Sequence, residues 1–180
     1  YSIYIAGLGY SKSVVGGLFS LGVVAEIAMF FFMSSVMRRY SLRRILIASF
    51  AVAVGRFLLI GWCANLPVQI FAQTLHSLTF GAFHAASIAA TNHWFHGSAR
   101  ARGQALYSSV AFGAGGLIGG LVSGWSWDHL GGAMAFTLSS LFALIGLVFV
   151  VKWVKMGDAD EPKAMNAVDT TQDGRGNDES

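Results

Sequence analysis

The chain has 180 residues, of which 54% are hydrophobic and only 12% are charged. Soluble domains are about a quarter charged, so this composition, with a mean hydropathy of +0.58, indicates a protein solvated by lipid and argues against a soluble enzyme. Seven of the nine acidic residues follow Lys155. The net charge of +3 therefore combines a basic body with an acidic tail, and it gives no sign of nucleic-acid binding.

Five apolar stretches are long enough to cross a bilayer, which takes ~20 helical residues. They run over residues 14–37, 45–62, 67–94, 104–125 and 133–153, and residues 1–10 resemble the end of a sixth span. Because lipid offers no hydrogen-bond partners to the backbone, each stretch is predicted to be a helix. The sequence begins at Tyr1, with neither an initiating Met nor the basic segment that opens a signal peptide. We therefore expect a fragment whose start lies upstream.

The loops predict the orientation of these spans. Basic residues cluster after spans one, three and five, whereas the links 63–66 and 126–132 hold no Lys or Arg. By the positive-inside rule, spans one, three and five run from outside to inside, which places the C-terminus in the cytoplasm. We expect a transmembrane domain over residues 1–155 and a disordered cytoplasmic tail over 156–180, in a multi-pass protein of a bacterial-type inner membrane.

Two charged side chains interrupt the first two spans. Glu26 lies midway along span one and Arg56 lies past the middle of span two. Such groups are costly in a bilayer and usually line a cavity. A structural carboxyl at Glu26 and a snorkelling guanidinium at Arg56 are the alternatives.

Span three carries a polar stripe. On a helical wheel one sector of roughly 80° holds six polar side chains and one aromatic. Its members are Gln69, Gln73, His76, Phe80, His84, Ser87 and Thr91. We expect this stripe to face a water-filled path, although a lone His in a span is more often a satisfied core residue.

Span four carries a ladder of small residues. Gly116, Gly120 and Gly124 follow one another at intervals of four, which is typical of close helix packing. A phosphate-binding loop would need a preceding strand and a Lys, and the chain has neither here. The single Cys63 and the i, i+3 pair His93 and His96 lack the co-ligands of a metal site. We therefore expect no metal and no cofactor.

Four segments carry a resemblance to a known family. GVVAEIAMFF, VGRFLLIGW, QTLHSLTFGAFHAA and ARARGQALYSSVAFGAGGLIGG resemble the phenylpropionate permease group of the major facilitator superfamily, near the lactose permease and nucleoside-proton symporter branch. The resemblance covers about residues 1–155. It implies an all-α fold: the C-terminal six-helix half of a twelve-helix bundle, with a partial helix seven and helices eight to twelve.

The resemblance also implies roles for residues. Lactose permease has an acid on helix eight, an Arg on helix nine and a His on helix ten, and Glu26, Arg56 and His76 hold similar helix positions. It also has a Glu three residues after that His, where this chain has Thr79. The proton acceptor is thus open among Glu26, His76 and His84.

Taken together, these features predict a secondary transporter and no enzyme. It would couple protons to a small organic solute, an aromatic carboxylic acid such as 3-phenylpropionate, and use the proton gradient as driving force. The solute would bind at Arg56, Gln69, Gln73 and Phe80. The partners would be the substrate, protons, the lipid bilayer and the N-terminal six-helix half of the same polypeptide, with no nucleic acid. The alternatives are a nucleoside or oligosaccharide symporter and a channel or sensor.

Overall fold

The structure is a computed structural model that describes residues 1–154. The predicted tail over 156–180 lies outside the described residues. The described chain consists of eight α-helices and two π-helical segments and contains no strand, which confirms the predicted all-α class. The elements are α1 Ser2–Gly7, α2 Lys12–Arg39, α3 Leu42–Trp62, α4 Leu66–Thr74, π1 Ser77–Ala82, α5 Phe83–Trp94, α6 Ala99–Ser108, π2 Ser109–Ala114, α7 Gly115–Leu130 and α8 Gly132–Trp153.

Four helical stretches among the described residues are long and apolar enough to cross a bilayer. They are α2, α3, the continuous run Ala99–Leu130 and α8. The predicted third span is helical but does not reach this standard, because a turn at Leu75 divides it and its polar stripe lowers its hydropathy. Predicted span four is longer than expected, since the link after it is also helical and only Gly131, with φ 83°, separates α7 from α8.

Three of the helices have a side-chain cap at their N-terminus. The hydroxyl of Ser11 accepts from the amide of Val14 at the start of α2, and the hydroxyl of Ser41 accepts from the amide of Arg44 at the start of α3. Asn65 caps α4 in the same way, with a Pro in the first turn. These caps satisfy amides that have no partner within the helix, so short polar links are enough to separate long apolar helices.

The helices α3 and α8 run antiparallel to each other and share the most extensive interface of the bundle. At one end of this pair, Gly61 lies so close to α8 that an added Cβ would be 3.0 Å from the carbonyl oxygen of Ala133. The hydroxyl of Tyr4 donates to the carbonyl of Gly61 at 2.7 Å and ties α1 to the same end. At the opposite end, Arg43 donates to the carbonyl of Val151. Each contact joins ends that the sequence predicts to lie on one side of the membrane.

The buried core lies between α2, α3, α5, α8 and the end of π1. Its buried members are Met33, Leu42, Ile45, Leu46, Ala82, Ala86, Ala90 and Val150. Large apolar side chains are exposed elsewhere, among them Phe31, Leu121 and Phe149. An interior of alanines and aliphatic side chains beneath a bulky apolar exterior is compatible with helices that pack within lipid.

Candidate functional site

Two glycines bring α2 close to the polar stripe. A Cβ at Gly22 would lie 3.6 Å from the ring of His76, and a Cβ at Gly81 would lie 3.3 Å from the Cγ of Glu26. A larger side chain at either position would therefore separate the two helices. This close approach of α2 and π1 places Glu26 of α2 beside His76, the residue that immediately precedes π1.

The acid and the imidazole form a pair. The Oε2 of Glu26 lies 3.9 Å from the Nε2 of His76, and the two side chains are 19% and 32% exposed. The Nδ1 of His76 is buried and has no hydrogen-bond partner among the described residues. The separation permits an ion pair when the ring is protonated, and it is too long for a hydrogen bond. The pair thus offers two groups that can hold one proton between them.

An aromatic column continues from this pair along the helix. The ring of Phe80 stacks on His76 with centroids 5.5 Å apart and on His84 with centroids 5.9 Å apart. The column ends against α6, where the hydroxyl of Tyr107 lies 3.4 Å from the Nδ1 of His84. Phe80 lies between the two imidazoles, and no hydrogen bond among the described residues connects them.

Arg56 forms the centre of a second, buried polar group. Its residue is 8% exposed, its Nε donates to the carbonyl of Ala72 at 2.8 Å, and its Nη2 donates to the Oε1 of Gln73 at 3.0 Å. The amide of Gln73 donates in turn to the carbonyl of Leu18 at 3.3 Å. The guanidinium also lies 5.6 Å from the ring centroid of Phe57. No carboxylate of the described residues lies within 4 Å of it, so neutral oxygens and a π face are its partners.

The side chain of Gln69 caps the C-terminal end of α3. Its side-chain amide donates to the carbonyls of Ile60 and Cys63, at 3.2 and 2.8 Å. Carbonyls at a helix C-terminus have no partner within the helix, so Gln69 caps α3 from the neighbouring helix. Its residue is 0% exposed, and its Oε1 is buried without a partner.

The predicted stripe therefore consists of two parts. Gln69 and Gln73 are buried in seams between helices, so the expectation that the whole stripe faces one water-filled path is wrong for them. The physical reason is that amides can satisfy backbone carbonyls and a guanidinium on neighbouring helices. Beyond Leu75 the π segment adds about one residue to a turn, which shifts the phase that a uniform wheel assumes. A role for either amide in substrate binding stays a prediction.

A cavity of about 580 Å³ lies beside the second part of the stripe. It is bounded by α3, π1 with the start of α5, α7 and α8. Arg56, His76, Thr79 and Phe80 line it, so three of the predicted site residues meet at one space. Glu26 does not line this space and lies 3.9 Å from His76, which does. His84, Gln69 and Gln73 do not line it.

The glycine ladder of α7 faces away from the described helices. A Cβ placed at Gly116, Gly120 or Gly124 would have nothing within 4 Å. Among the described residues the ladder thus packs against no helix, and its packing role stays a prediction. Glycines outside the ladder have close neighbours. Two of them, Gly22 and Gly81, are not predicted from the sequence, because neither belongs to a repeated small-residue pattern. Tyr107 was also missed, since nothing in its local sequence marks it.

An all-α bundle with bulky apolar surfaces, an intramembrane acid–imidazole pair and a buried guanidinium at a cavity indicates a multi-pass membrane protein. The model of the MFS_1 like family matches residues 1–138. The chain belongs to this family, and thereby to the major facilitator superfamily.

A curated relative adds a finer comparison. The chain is 39% identical over 146 residues to the probable 3-phenylpropionic acid transporter of Escherichia coli strain K12. The matched region covers 79% of the chain and 37% of that relative, so the chain spans well under half of its length. No solved structure shows a significant match.

Proposed function

We propose that the full-length protein is a proton-coupled secondary transporter for a small organic acid, with an aromatic carboxylic acid such as 3-phenylpropionate as its substrate. The relative's printed function and the family membership support this choice of substrate class. The protein would lie in the inner membrane with its C-terminus in the cytoplasm, and the remaining helices of the same polypeptide would complete the bundle.

One observation supports the proposal: the imidazole of an acid–imidazole pair and a buried cation line the same cavity. His76 lies 3.9 Å from Glu26 and lines the cavity into which Arg56 also projects. A guanidinium without a nearby carboxylate stabilises an anion, because charge-assisted hydrogen bonds are strong where water is scarce. The site can therefore receive a carboxylate at Arg56 and a proton at the neighbouring pair.

Coupling follows from the charges at the site. Binding of an anion beside His76 favours the protonated form of the pair, and protonation of the pair favours the anion by the same free energy. Each solute thus raises the affinity of the site for the other. Glu26, His76 and His84 remain the candidates for the proton acceptor, and Glu26 is the first to test because it carries the negative charge of the pair.

The test is uptake of labelled 3-phenylpropionate by proteoliposomes that contain the full-length protein and an imposed proton gradient. The wild type is expected to accumulate the label, and a protonophore should abolish accumulation. Glu26→Gln should lose accumulation by more than about tenfold and retain exchange of internal for external substrate, since a neutral amide cannot release a proton. Asp128→Asn removes the other acidic side chain of the described residues, in the outer link, and serves as the matched control.

Three results would count against the proposal. Accumulation that persists in Glu26→Gln at the wild-type level would remove Glu26 from the coupling step. Wild-type protein that takes up a nucleoside or an oligosaccharide but no aromatic acid would replace the substrate class. Uptake that neither saturates nor responds to the protonophore would indicate a channel instead.

A further inference from the structure

We propose that Tyr107 and Phe112 are positioning residues for the acid–imidazole pair, because they clamp the end of the aromatic column that holds His76. The inference rests on the proposed function and adds α6 and π2 to the site of proton exchange. Neither ring contacts His76 among the described residues, so both would act through His84 and Phe80.

The clamp consists of His84, Tyr107 and Phe112, whose rings contact one another. The ring of Phe112 meets His84 edge-on, with centroids 5.6 Å apart, and the ring of Tyr107 lies 6.2 Å from the same imidazole. Tyr107 and Phe112 also meet edge-on, at 6.2 Å. Aromatic pairs at such separations attract one another, so His84 is held from a second helix as well as from its own.

The contact between Tyr107 and Phe112 depends on π2. The two residues are five apart, which in an α-helix would turn their side chains about 140° away from each other. The extra residue of the π turn, which covers Ser109–Ala114, takes up about 100° of this angle. The π geometry therefore brings both rings to the face of the helix that meets His84.

The alignment of the aromatic column depends on π1 in the same way. Side chains four apart in an α-helix are offset by about 40°, so the rings of His76 and His84 would be offset by about 80°. The extra residue of π1 lies between them and reduces this offset to roughly 20°. The rings are nearly parallel, with angles of 19° and 13° between Phe80 and its two neighbours.

The two π segments also share a sequence pattern. π1 reads SLTFGA and π2 reads SVAFGA, so each has Ser first, Phe fourth, and then Gly and Ala. The fourth residues are Phe80 and Phe112, and both rings contact His84. Two helices thus bring equivalent rings to one imidazole, which indicates that the two turns act together.

The aromatic column matters because no hydrogen bond among the described residues fixes the ring of His76. Glu26 lies 3.9 Å away, and the Nδ1 of the ring has no partner. The orientation of the imidazole toward the carboxylate therefore depends on its stacking with Phe80. Proton transfer requires that orientation, whereas exchange of bound substrate does not.

Two deletions provide a matched test, because each removes one alanine from π2 and returns the turn to an α-helix. Deletion of Ala114, beyond Phe112, leaves Phe112 and Tyr107 five apart and turns Phe112 away from His84. Deletion of Ala111, between the two rings, brings them four apart and keeps them on one face. Both deletions leave α6 and α7 in the phase they have in the wild type.

Proton-driven accumulation and exchange of labelled 3-phenylpropionate are measured in proteoliposomes that contain the full-length protein. Deletion of Ala114 should lower accumulation at least about threefold and leave exchange within about twofold of the wild type. Deletion of Ala111 should leave both within about twofold. Equal accumulation in the two variants, whether high or low, would overturn the role of the clamp. A wild type that accumulates no aromatic acid would overturn the proposed function, and the inference with it.

Point variants test the same contact if a deletion variant does not fold. Phe112→Leu should lower accumulation as deletion of Ala114 does, and Phe112→Tyr should restore it, because a tyrosine ring also presents its edge to His84. Val110→Leu is the control, since Val110 lies in the same π turn and is 57% exposed. Wild-type accumulation in Phe112→Leu, or no recovery in Phe112→Tyr, would contradict the inference.

Discussion

The two parts of the polar stripe show how similar residues serve different ends. Gln69 and Gln73 lie in α4 and are buried, and their amides bond to backbone carbonyls and to Arg56. His76 and His84 lie beyond the break at Leu75 and are only partly buried. Both rings stack on Phe80, and His76 also lies near the carboxylate of Glu26. The first part is held in place by hydrogen bonds between helices. The second part keeps ionisable nitrogens available.

The difference teaches that polarity on one helix face does not by itself mark a path for water. In lipid an amide lowers its free energy by bonding to a neighbouring helix, and it then contributes to stability. An imidazole beside a carboxylate and an aromatic ring retains a titratable group, which is the requirement for proton transfer. Four predictions follow the contrast, from the largest expected effect to the smallest.

Replacing the cation that joins the two parts should have the largest effect. Arg56→Met should lower uptake of 3-phenylpropionate by about a hundredfold, in line with the ~2–5 kcal/mol that truncation of a buried charged partner costs. Arg56→Lys should restore at most about a tenth of the activity, because an ammonium cannot form the same fork of hydrogen bonds. Initial uptake rates measure both variants. Wild-type rates in Arg56→Met would remove the residue from substrate binding.

Widening the gap between α2 and π1 should come next. Gly81→Leu would place its side chain against Glu26 and Met29, where a Cβ alone would already be 3.3 Å from Glu26. Overpacking of this kind costs about 1–3 kcal/mol, so the melting temperature in detergent should fall, and the coupling ratio of protons to substrate should fall with it. Gly55→Leu is the control, because a Cβ there has nothing within 4 Å. Equal effects of the two changes would contradict the packing described.

The two glutamines should separate stability from transport. Gln69→Leu leaves two carbonyls at the end of α3 without their donor, and it should lower the melting temperature without changing the substrate Kd. Gln73→Leu removes the acceptor of Arg56 and should both destabilise the protein by about 1–3 kcal/mol and weaken binding several-fold. Thermal unfolding and equilibrium binding of both variants measure this. The contrast fails if Gln69→Leu alone weakens binding.

The end of the aromatic column at His84 should matter least. His84→Phe keeps a ring against Phe80 and loses the contact of 3.4 Å with Tyr107, which is long for a hydrogen bond. Uptake is expected to change by less than about threefold. A loss of proton-driven accumulation in this variant, with exchange intact, would move the proton acceptor from the Glu26–His76 pair to His84.

Hydropathy predicts most of the fold, because an apolar segment in lipid must satisfy its backbone hydrogen bonds internally and therefore forms a helix. The spans that became α2, α3 and α8 were predicted to within a few residues at each end. The π segments were not predictable, since local sequence does not encode the extra residue in a turn. The helix of span four continues past Trp125, where the span is predicted to end. The link 126–132 resembles a loop in composition and is almost wholly helical.

The site was predictable in its members and less so in its geometry. Charge within a membrane span predicts Glu26 and Arg56 as site residues, and the helical wheel of span three predicts His76 and Phe80. Their separation into an acid–imidazole pair and a buried guanidinium depends on which helices approach closely. Close approach is set by Gly22 and Gly81, which stand in no repeat, whereas the regular ladder at Gly116, Gly120 and Gly124 contacts nothing among the described residues.

The most direct measurement is cysteine labelling in the intact carrier by a membrane-impermeant thiol reagent, after Cys63→Ser removes the native thiol. The account predicts that His76→Cys, Phe80→Cys and His84→Cys are modified and that 3-phenylpropionate protects the first two. It predicts that Gln69→Cys and Gln73→Cys stay unmodified under the same conditions. Modification of the two buried positions with none at 76, 80 or 84 would contradict the division of the stripe, and with it the proposed place of proton exchange.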